Sequence, residues 1–302
     1  IWVAISMVGV SSIGMILFTS RPVGDAMATT IWGASSSWTL TALPLFVWMG
    51  EILFRTKLSE NLFEGLAPWL QKLPGGLIHV NVVGCALFAA ISGSSAATVA
   101  TVGKMSIPEL RKRKYPEKIL LGSLAGSGTL GLLIPPSIIL IIYGVTVQES
   151  IAKLFIAGII PGIMIALIFM GYVIVWSLLN KNKMPTNYEN FSFLNKLGKS
   201  KQLIPVILLI LGVIGSIYTG IATATEAASL GVVGALILSY FQKSLTLKTF
   251  KDSLLGATKT SCMIAFILAG ATFLSLAMGF TGLPRNLALW IQNMELSPYV
   301  LI

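Results

Sequence analysis

Charge is scarce in this chain. Only 11% of its 302 residues are Asp, Glu, Lys or Arg, while 55% are apolar; soluble domains carry roughly 25% charged residues. That balance excludes a secreted domain, a cytosolic enzyme and a disordered tail, because long stretches approach the ~20 apolar residues that cross a bilayer. Histidine occurs once, as His79, so no multi-histidine metal centre can be built. Cysteine occurs twice; Cys85 and Cys262 each sit inside an apolar run and read as small buried hydrophobes, not as a disulfide or metal pair. The GxxxxGK[ST] phosphate loop is missing, since Gly256-Ala257-Thr258-Lys259-Thr260 lacks the spaced glycine and Gly103-Lys104-Met105 fails the same pattern. There is no His–carboxylate cluster either, so neither enzymatic chemistry nor ATP-driven transport by this chain is expected. No ten-residue alternating pattern of a barrel appears. The predicted fold is all-α, a polytopic membrane protein. Its first residue is Ile within a helix-like run, so the chain is expected to be part of a longer protein.

The charge that is present is informative. The net charge of +10, from 21 Lys and Arg against 11 Asp and Glu, reports orientation in the bilayer and not a nucleic-acid partner. Eighteen of the 21 basic residues fall in four clusters, at 55–72, 104–118, 181–201 and 243–259. Cytoplasmic loops hold the Lys and Arg excess, so these clusters are expected to share the cytoplasmic side. Arg21, Lys153 and Arg285 then fall on the opposite side. Spans follow by parity: 1–19 outward, 36–54 back, a broken run 119–146 outward, 151–180 back, 203–219 outward, 225–242 back and 260–280 outward. Residues 58–72 and 246–258 are amphipathic and read as interfacial arm helices or as simple polar loops.

One segment violates the alternation. Residues 73–103 contain no Asp, Glu, Lys or Arg, yet both flanks belong to cytoplasmic clusters. A single crossing would part the flanks, and two crossings need ~40 residues where 31 are present. The geometry left is a re-entrant hairpin of two half-length helices with its tip at Ser92-Gly93-Ser94-Ser95. Irregular backbone at membrane depth is tolerated only against protein or a wet cavity.

A hairpin tip presents free amides, suited to an anion, and free carbonyls, suited with hydroxyls to a hard cation such as Na⁺. Ser92, Ser94, Ser95 and Thr98 supply the hydroxyls. Close helix packing through small residues is the alternative reading of the same residues. The next run holds Gly122, Gly126, Ser127, Gly128, Thr129 and Gly131 ahead of Pro135-Pro136-Ser137. Pro136 lacks an amide proton and restrains Pro135, so the helix is expected to break in mid-membrane. A re-entrant hairpin followed by a broken helix is the arrangement that holds substrate and coupling ion in secondary transporters.

Further on, Thr225 reads as an N-cap and Glu226 as a first-turn acid that complements the helix dipole; both are also candidates for coupling or gating. Glu51 is expected to pair with Arg55 at i+4. His79 and Asn81, on the hairpin's first arm, read as packing or interface residues. Residues 46–74 can be laid on 266–298, with Phe46, Gly50, Asn61 and Trp69 meeting Phe266, Gly270, Asn286 and Trp290. An odd number of crossings separates the copies, which makes the repeat inverted.

With these motifs in view the chain resembles the large membrane subunit of TRAP transporters, the DctM-like permeases. The likeness rests on Ile91-Ser92-Gly93-Ser94-Ser95-Ala96-Ala97-Thr98, on Gly128 through Gly131 with Ile134-Pro135-Pro136-Ser137-Ile138, on Leu154 through Gly162, and on Thr225-Glu226-Ala227-Ala228. The resemblance implies Na⁺-driven uptake of an organic acid across a bacterial inner membrane by an elevator motion. It also implies a small membrane subunit and a periplasmic substrate-binding protein as partners. Carried onto this chain, Ser92, Gly93, Ser94 and Ser95 would ligate Na⁺ together with Gly128, Thr129 and Gly131. Ser94, Thr98, Pro135, Pro136 and Ser137 would face the substrate. Residues 1–72 would form scaffold and arm helices, 73–146 the hairpin and broken helix of the transport domain, 147–224 the connecting spans, and 225–302 the first part of a second repeat whose own hairpin is missing. A dicarboxylate, a 2-oxo acid or a sugar acid all fit. Proton coupling through Glu226 and a non-transporting scaffold subunit are the rival readings.

Overall fold

The computed structural model describes residues 2–56, 58–185 and 192–294, and among these the ordered elements are all helices. Lys57 of the first basic cluster and the end of the repeat at Pro298 lie outside the described residues. In chain order the helices are α1 (Trp2–Phe18), α2 (Val23–Ser35), α3 (Ala42–Phe54), α4 (Leu58–Leu70), α5 (Ile78–Ser92), α6 (Ser95–Lys112) and α7 (Glu117–Gly128). They continue as α8 (Ile138–Val147), α9 (Ile151–Leu179), α10 (Phe193–Ser200), α11 (Ile204–Tyr218), α12 (Ala224–Phe241), α13 (Leu247–Phe280) and α14 (Leu283–Gln292). Three of them, α9, α12 and α13, are long and apolar enough to cross a membrane unbroken; α1, α5 and α8 are shorter apolar helices. The chain divides into two compact units. One comprises 1–38 and 259–302, the other 39–258, and the division falls within α13.

In the larger unit, α5 is the central element. Twelve of its fifteen residues are buried, including His79, Asn81 and Ser92, so it is walled on every side. It packs on α6 and α7, with α3, α4 and α9 completing the enclosure. α3 lies along α12, and α11 along α12. By contrast α9 buries few residues, among them Gly158 and Gly162, and exposes Ile160, Leu167, Ile168 and Tyr172, the profile of a helix bathed in lipid on one side.

In the smaller unit, Met15 of α1 and Phe273 and Ala277 of α13 form a fully buried cluster. Gly270 lets α1 approach closely, since a Cβ there would stand 3.0 Å from the Ala4 carbonyl oxygen.

Several sequence expectations need correction. Residues 246–258 are not a separate arm, because α13 is continuous from Leu247 to Phe280. The stretch changes from charged to apolar near Lys259, but it contains no proline, and a change of composition does not break a helix. Thr225 is not the N-cap of α12; Thr223 is, two residues earlier, with Glu226 as the third residue of the helix. Cys85 is buried as expected, whereas Cys262 is exposed on the surface of α13. Helices α2 and α10 occupy stretches that the charge map treats as connections.

Candidate functional site

The hairpin turns where the sequence expects it. α5 stops at Ser92 because Gly93 adopts φ 59°, a left-handed conformation that glycine takes without strain, and its N–H donates to the Ala89 carbonyl. Ser94 is extended (φ −128°, ψ 124°) and caps α6, its Oγ accepting from Ala97 N–H at 3.4 Å. Two residues therefore separate the end of one half-helix from the start of the next.

The following helix is broken at the same place. α7 ends at Gly128 and tightens into a 3-10 turn, Thr129–Leu132. Pro135 and Pro136 prevent helix from resuming until Ser137 caps α8. Ser137 is fully buried; its Oγ donates to the Leu132 carbonyl at 2.5 Å and accepts from Leu140 N–H at 3.4 Å, so one hydroxyl ties both sides of the break. α9 seats this break through its small residues. A Cβ on Gly158 would fall 2.8 Å from the Leu133 oxygen, and one on Gly162 2.8 Å from Ile134 Cγ1.

Tip and break are in direct backbone contact. Ile138 N–H, at the start of α8, donates to the Gly93 carbonyl at 3.3 Å. A Cβ on Gly93 would lie 2.7 Å from the Pro136 oxygen. A Cβ on Gly131 would lie 2.8 Å from both Ser94 C and Ser95 N, and Gly128 sits against the Val99 side chain. These glycines exist because two backbones pass closer here than side chains permit.

The hydroxyls at the tip differ in their commitments. Thr98 Oγ1 donates to the Ser94 carbonyl at 2.8 Å, so the 3.0 Å contact between Ser92 Oγ and Thr98 Oγ1 has Ser92 as donor. Both side chains are buried and internally satisfied. Ser95 Oγ is different: it is buried and has no hydrogen-bond partner. An unpartnered buried hydroxyl is costly unless something absent from the chain binds it. Thr129 stands apart, because its side chain is exposed and its hydroxyl donates to the Gly126 carbonyl at 2.7 Å. The residues present thus fit a small hard cation in one specific respect, an orphaned oxygen beside crowded carbonyl groups.

Other predicted residues lie elsewhere. Glu226 completes the capping box of α12: its carboxylate accepts from both the N–H and the hydroxyl of Thr223 at 2.8 Å, and it is exposed. Glu51 pairs with Arg55 at 2.9 Å, as the i+4 spacing predicts. His79 Nε2 lies 2.8 Å from the Pro74 carbonyl, and Asn81 Nδ2 donates to Ser123 Oγ at 3.0 Å. Both lie on the hairpin's first arm, and His79 Nδ1 and Asn81 Oδ1 are buried without a hydrogen-bond partner.

Gly50 contributes to the site in a way the sequence reading overlooked. A Cβ there would come within 2.9 Å of Ser92 Cα, so α3 presses on the hairpin tip. The signal was available, because the repeat aligns Gly50 with Gly270, and both prove to be sites of close helix approach.

A family profile described as the tripartite ATP-independent periplasmic transporter, DctM component, matches residues 1–302. Among curated proteins, the chain is 32% identical over 295 residues to the C4-dicarboxylate TRAP transporter large permease protein of Pseudomonas aeruginosa, covering 97% of this chain and 68% of that protein. It is 33% identical to the sialic acid TRAP transporter large permease protein of Vibrio cholerae, covering 99% of this chain and 70% of that one. It is 34% identical to the isethionate TRAP transporter permease protein DctMQ of Oleidesulfovibrio alaskensis, covering 89% of this chain and 42% of that longer protein.

Proposed function

Since the chain belongs to the DctM family, the DctM component of tripartite ATP-independent periplasmic transporters, and is a multi-pass membrane protein, we propose that it forms the Na⁺-binding half-site of an organic-acid symporter. In this reading Na⁺ is held at the junction of tip and break by oxygens of Ser92, Gly93, Ser94, Ser95, Gly128, Thr129 and Gly131. The acid is held at Ser94, against a wall formed by Thr98, Pro135, Pro136 and Ser137. Free amides at the start of α6 meet its carboxylate, helped by the helix dipole. The single observation that carries the reading is the unpartnered, buried Ser95 Oγ, set where a broken helix and a hairpin tip touch backbone to backbone.

Coupling follows from that shared geometry. Bound Na⁺ would hold the tip and the break in the contact they already make, keeping intact the wall against which the acid would bind, so each ligand would strengthen the other by the same factor. Residues 73–146 then move as the transport domain against the scaffold of 1–72, in an elevator motion within the bacterial inner membrane. Residues 147–224 connect this repeat to a second, inverted one that begins at 225. A small membrane subunit and a periplasmic substrate-binding protein complete the transporter. The substrate is a dicarboxylate, a 2-oxo acid or a sugar acid.

The rival reading, proton coupling through Glu226, meets an obstacle in the capping box, which already commits that carboxylate to Thr223. A non-transporting scaffold has no use for a polar tip buried against a broken helix. The test is uptake by the reconstituted transporter with Na⁺ replaced by K⁺. Uptake is expected to fall to background; uptake unaffected by the exchange ends the Na⁺ assignment.

A further inference from the structure

Beyond the tip, α6 turns one face toward a cavity of about 1070 Å³. Thr101, Lys104, Met105 and Pro108 line it from α6, and Phe54 and Arg55 from the end of α3. Thr98 of the hairpin tip lies one turn before Thr101 on the same helical face. At 1.5 Å per residue, Lys104 stands roughly 9 Å along the axis from Thr98. The cavity therefore begins one turn from the buried hydroxyl pair of Ser92 and Thr98, and its first cation comes within two turns.

The charges in its wall are not equivalent. Arg55, Lys104, Arg113 and Lys199 line it as cations, Glu64 and Glu109 as anions. Arg55 is bound to Glu51 at 2.9 Å and Arg113 to Glu109 at 2.7 Å. Lys199 and Glu64 are engaged as well. Lys104 alone among these cations is exposed and has no hydrogen-bond or ion-pair partner among the described residues. A lysine ammonium on a flexible stem is a mobile point charge, suited to receiving a carboxylate without holding it in fixed geometry. A cleft with a positive surplus also concentrates anions.

We propose that Lys104 is a release station: a second carboxylate-binding group, on the cytoplasmic side of the tip, that takes the organic anion as it leaves the hairpin amides. This rests on the organic-acid reading above and adds a residue and a path to it. The tip holds the acid by amides and hydroxyls with Na⁺ present; Lys104 holds it by charge alone, so departure of Na⁺ shifts the anion toward the cavity.

The test uses the full-length protein reconstituted with its small membrane subunit and supplied with its substrate-binding protein, with Cys262 and every exposed cysteine outside this sequence changed to serine, so that buried Cys85 is the thiol retained in this sequence. Probes are succinate, pyruvate and N-acetylneuraminate, and the one taken up in a Na⁺-dependent manner is used throughout. Lys104→Cys is expected to raise the half-saturation concentration for internal substrate in exchange by about three- to tenfold, with the external KM unchanged. Modification with an aminoethyl thiosulfonate restores the ammonium and should restore exchange, whereas the sulfonatoethyl reagent should impair it further. Opposite effects of the two reagents on one folded protein cannot arise from misfolding. Lys104→Arg should keep the wild-type value. Internal half-saturation within twofold of wild type under both reagents, with Na⁺-dependent uptake intact, overturns the role of Lys104 alone. Uptake that never depended on Na⁺ overturns the hairpin site, a separate result.

Discussion

Two hydroxyl-bearing residues at the hairpin tip, Ser92 and Thr98, satisfy each other, and a third, Ser95, satisfies nothing. That difference predicts opposite behaviour on truncation. Ser95→Ala removes no internal hydrogen bond, so stability in K⁺ should be unchanged or slightly raised. Stabilisation by Na⁺, which grows with ligand concentration over its dissociation constant, should shrink or vanish. Thermal unfolding in NaCl against KCl measures both, and a full Na⁺ shift in Ser95→Ala would move the ion elsewhere. At α12, Thr223→Ala should cost about 1 kcal/mol of stability through loss of the N-cap. Glu226→Gln should leave the pH profile of uptake unaltered, because Glu226 serves as the reciprocal partner in that cap. The sequence named Ser95 as one of four equivalent hydroxyl sources. Which of them is free depends on partners six residues away in the chain, and composition does not encode that. The cap was misplaced for a similar reason: Thr223 and Thr225 are equally good capping residues, and only the position of the first helical turn separates them.

At the scale of elements, the hairpin and the broken helix were legible because two independent constraints agreed. For the hairpin, charge puts both flanks on one side as an expectation and length forbids a double crossing; for the break, Pro135-Pro136 interrupts the ladder. The structure turns at Gly93 and Ser94 and has no α-helix between Gly128 and Ile138. The continuous α13 was illegible by the same method, since a charge boundary near Lys259 resembles the edge of a span without being a helix end. The roles of the individual glycines were equally hidden, because they depend on which backbone passes alongside in three dimensions. A Cβ on Gly131 would meet backbone atoms of Ser94 and Ser95, while one on Gly122, in the preceding helix, would meet nothing within 4 Å. Gly131→Ala should therefore cost about 1–3 kcal/mol by overpacking and abolish uptake, because neither backbone can yield without opening the junction. Gly122→Ala should be neutral or stabilising by up to about 1 kcal/mol from helix propensity. Equal effects of the two substitutions, measured by thermal unfolding and by uptake, would remove the junction from the mechanism.

For the whole molecule, orientation remains the boldest consequence of composition, since it assigns every loop from the placement of 21 basic residues. The re-entrant reading places Lys72, before the hairpin, and Lys118, after it, on one face of the membrane. Both are exposed, so cysteine at either position is reachable by a membrane-impermeant thiol reagent. In a background with Cys262 and every exposed cysteine outside this sequence changed to serine, Lys72→Cys and Lys118→Cys should both label from the cytoplasmic side together with Lys183→Cys, and Lys153→Cys from the opposite side. The comparison of Lys72 with Lys118 is the decisive one. A helix pair that reverses at Gly93 returns its flanks to the same side, whereas a traversing segment parts them, whatever the orientation of the rest. Labelling of those two positions from opposite faces would show that α5 and α6 together cross the bilayer. The carbonyls of the tip would then have no half-depth position at which to meet the break between α7 and α8.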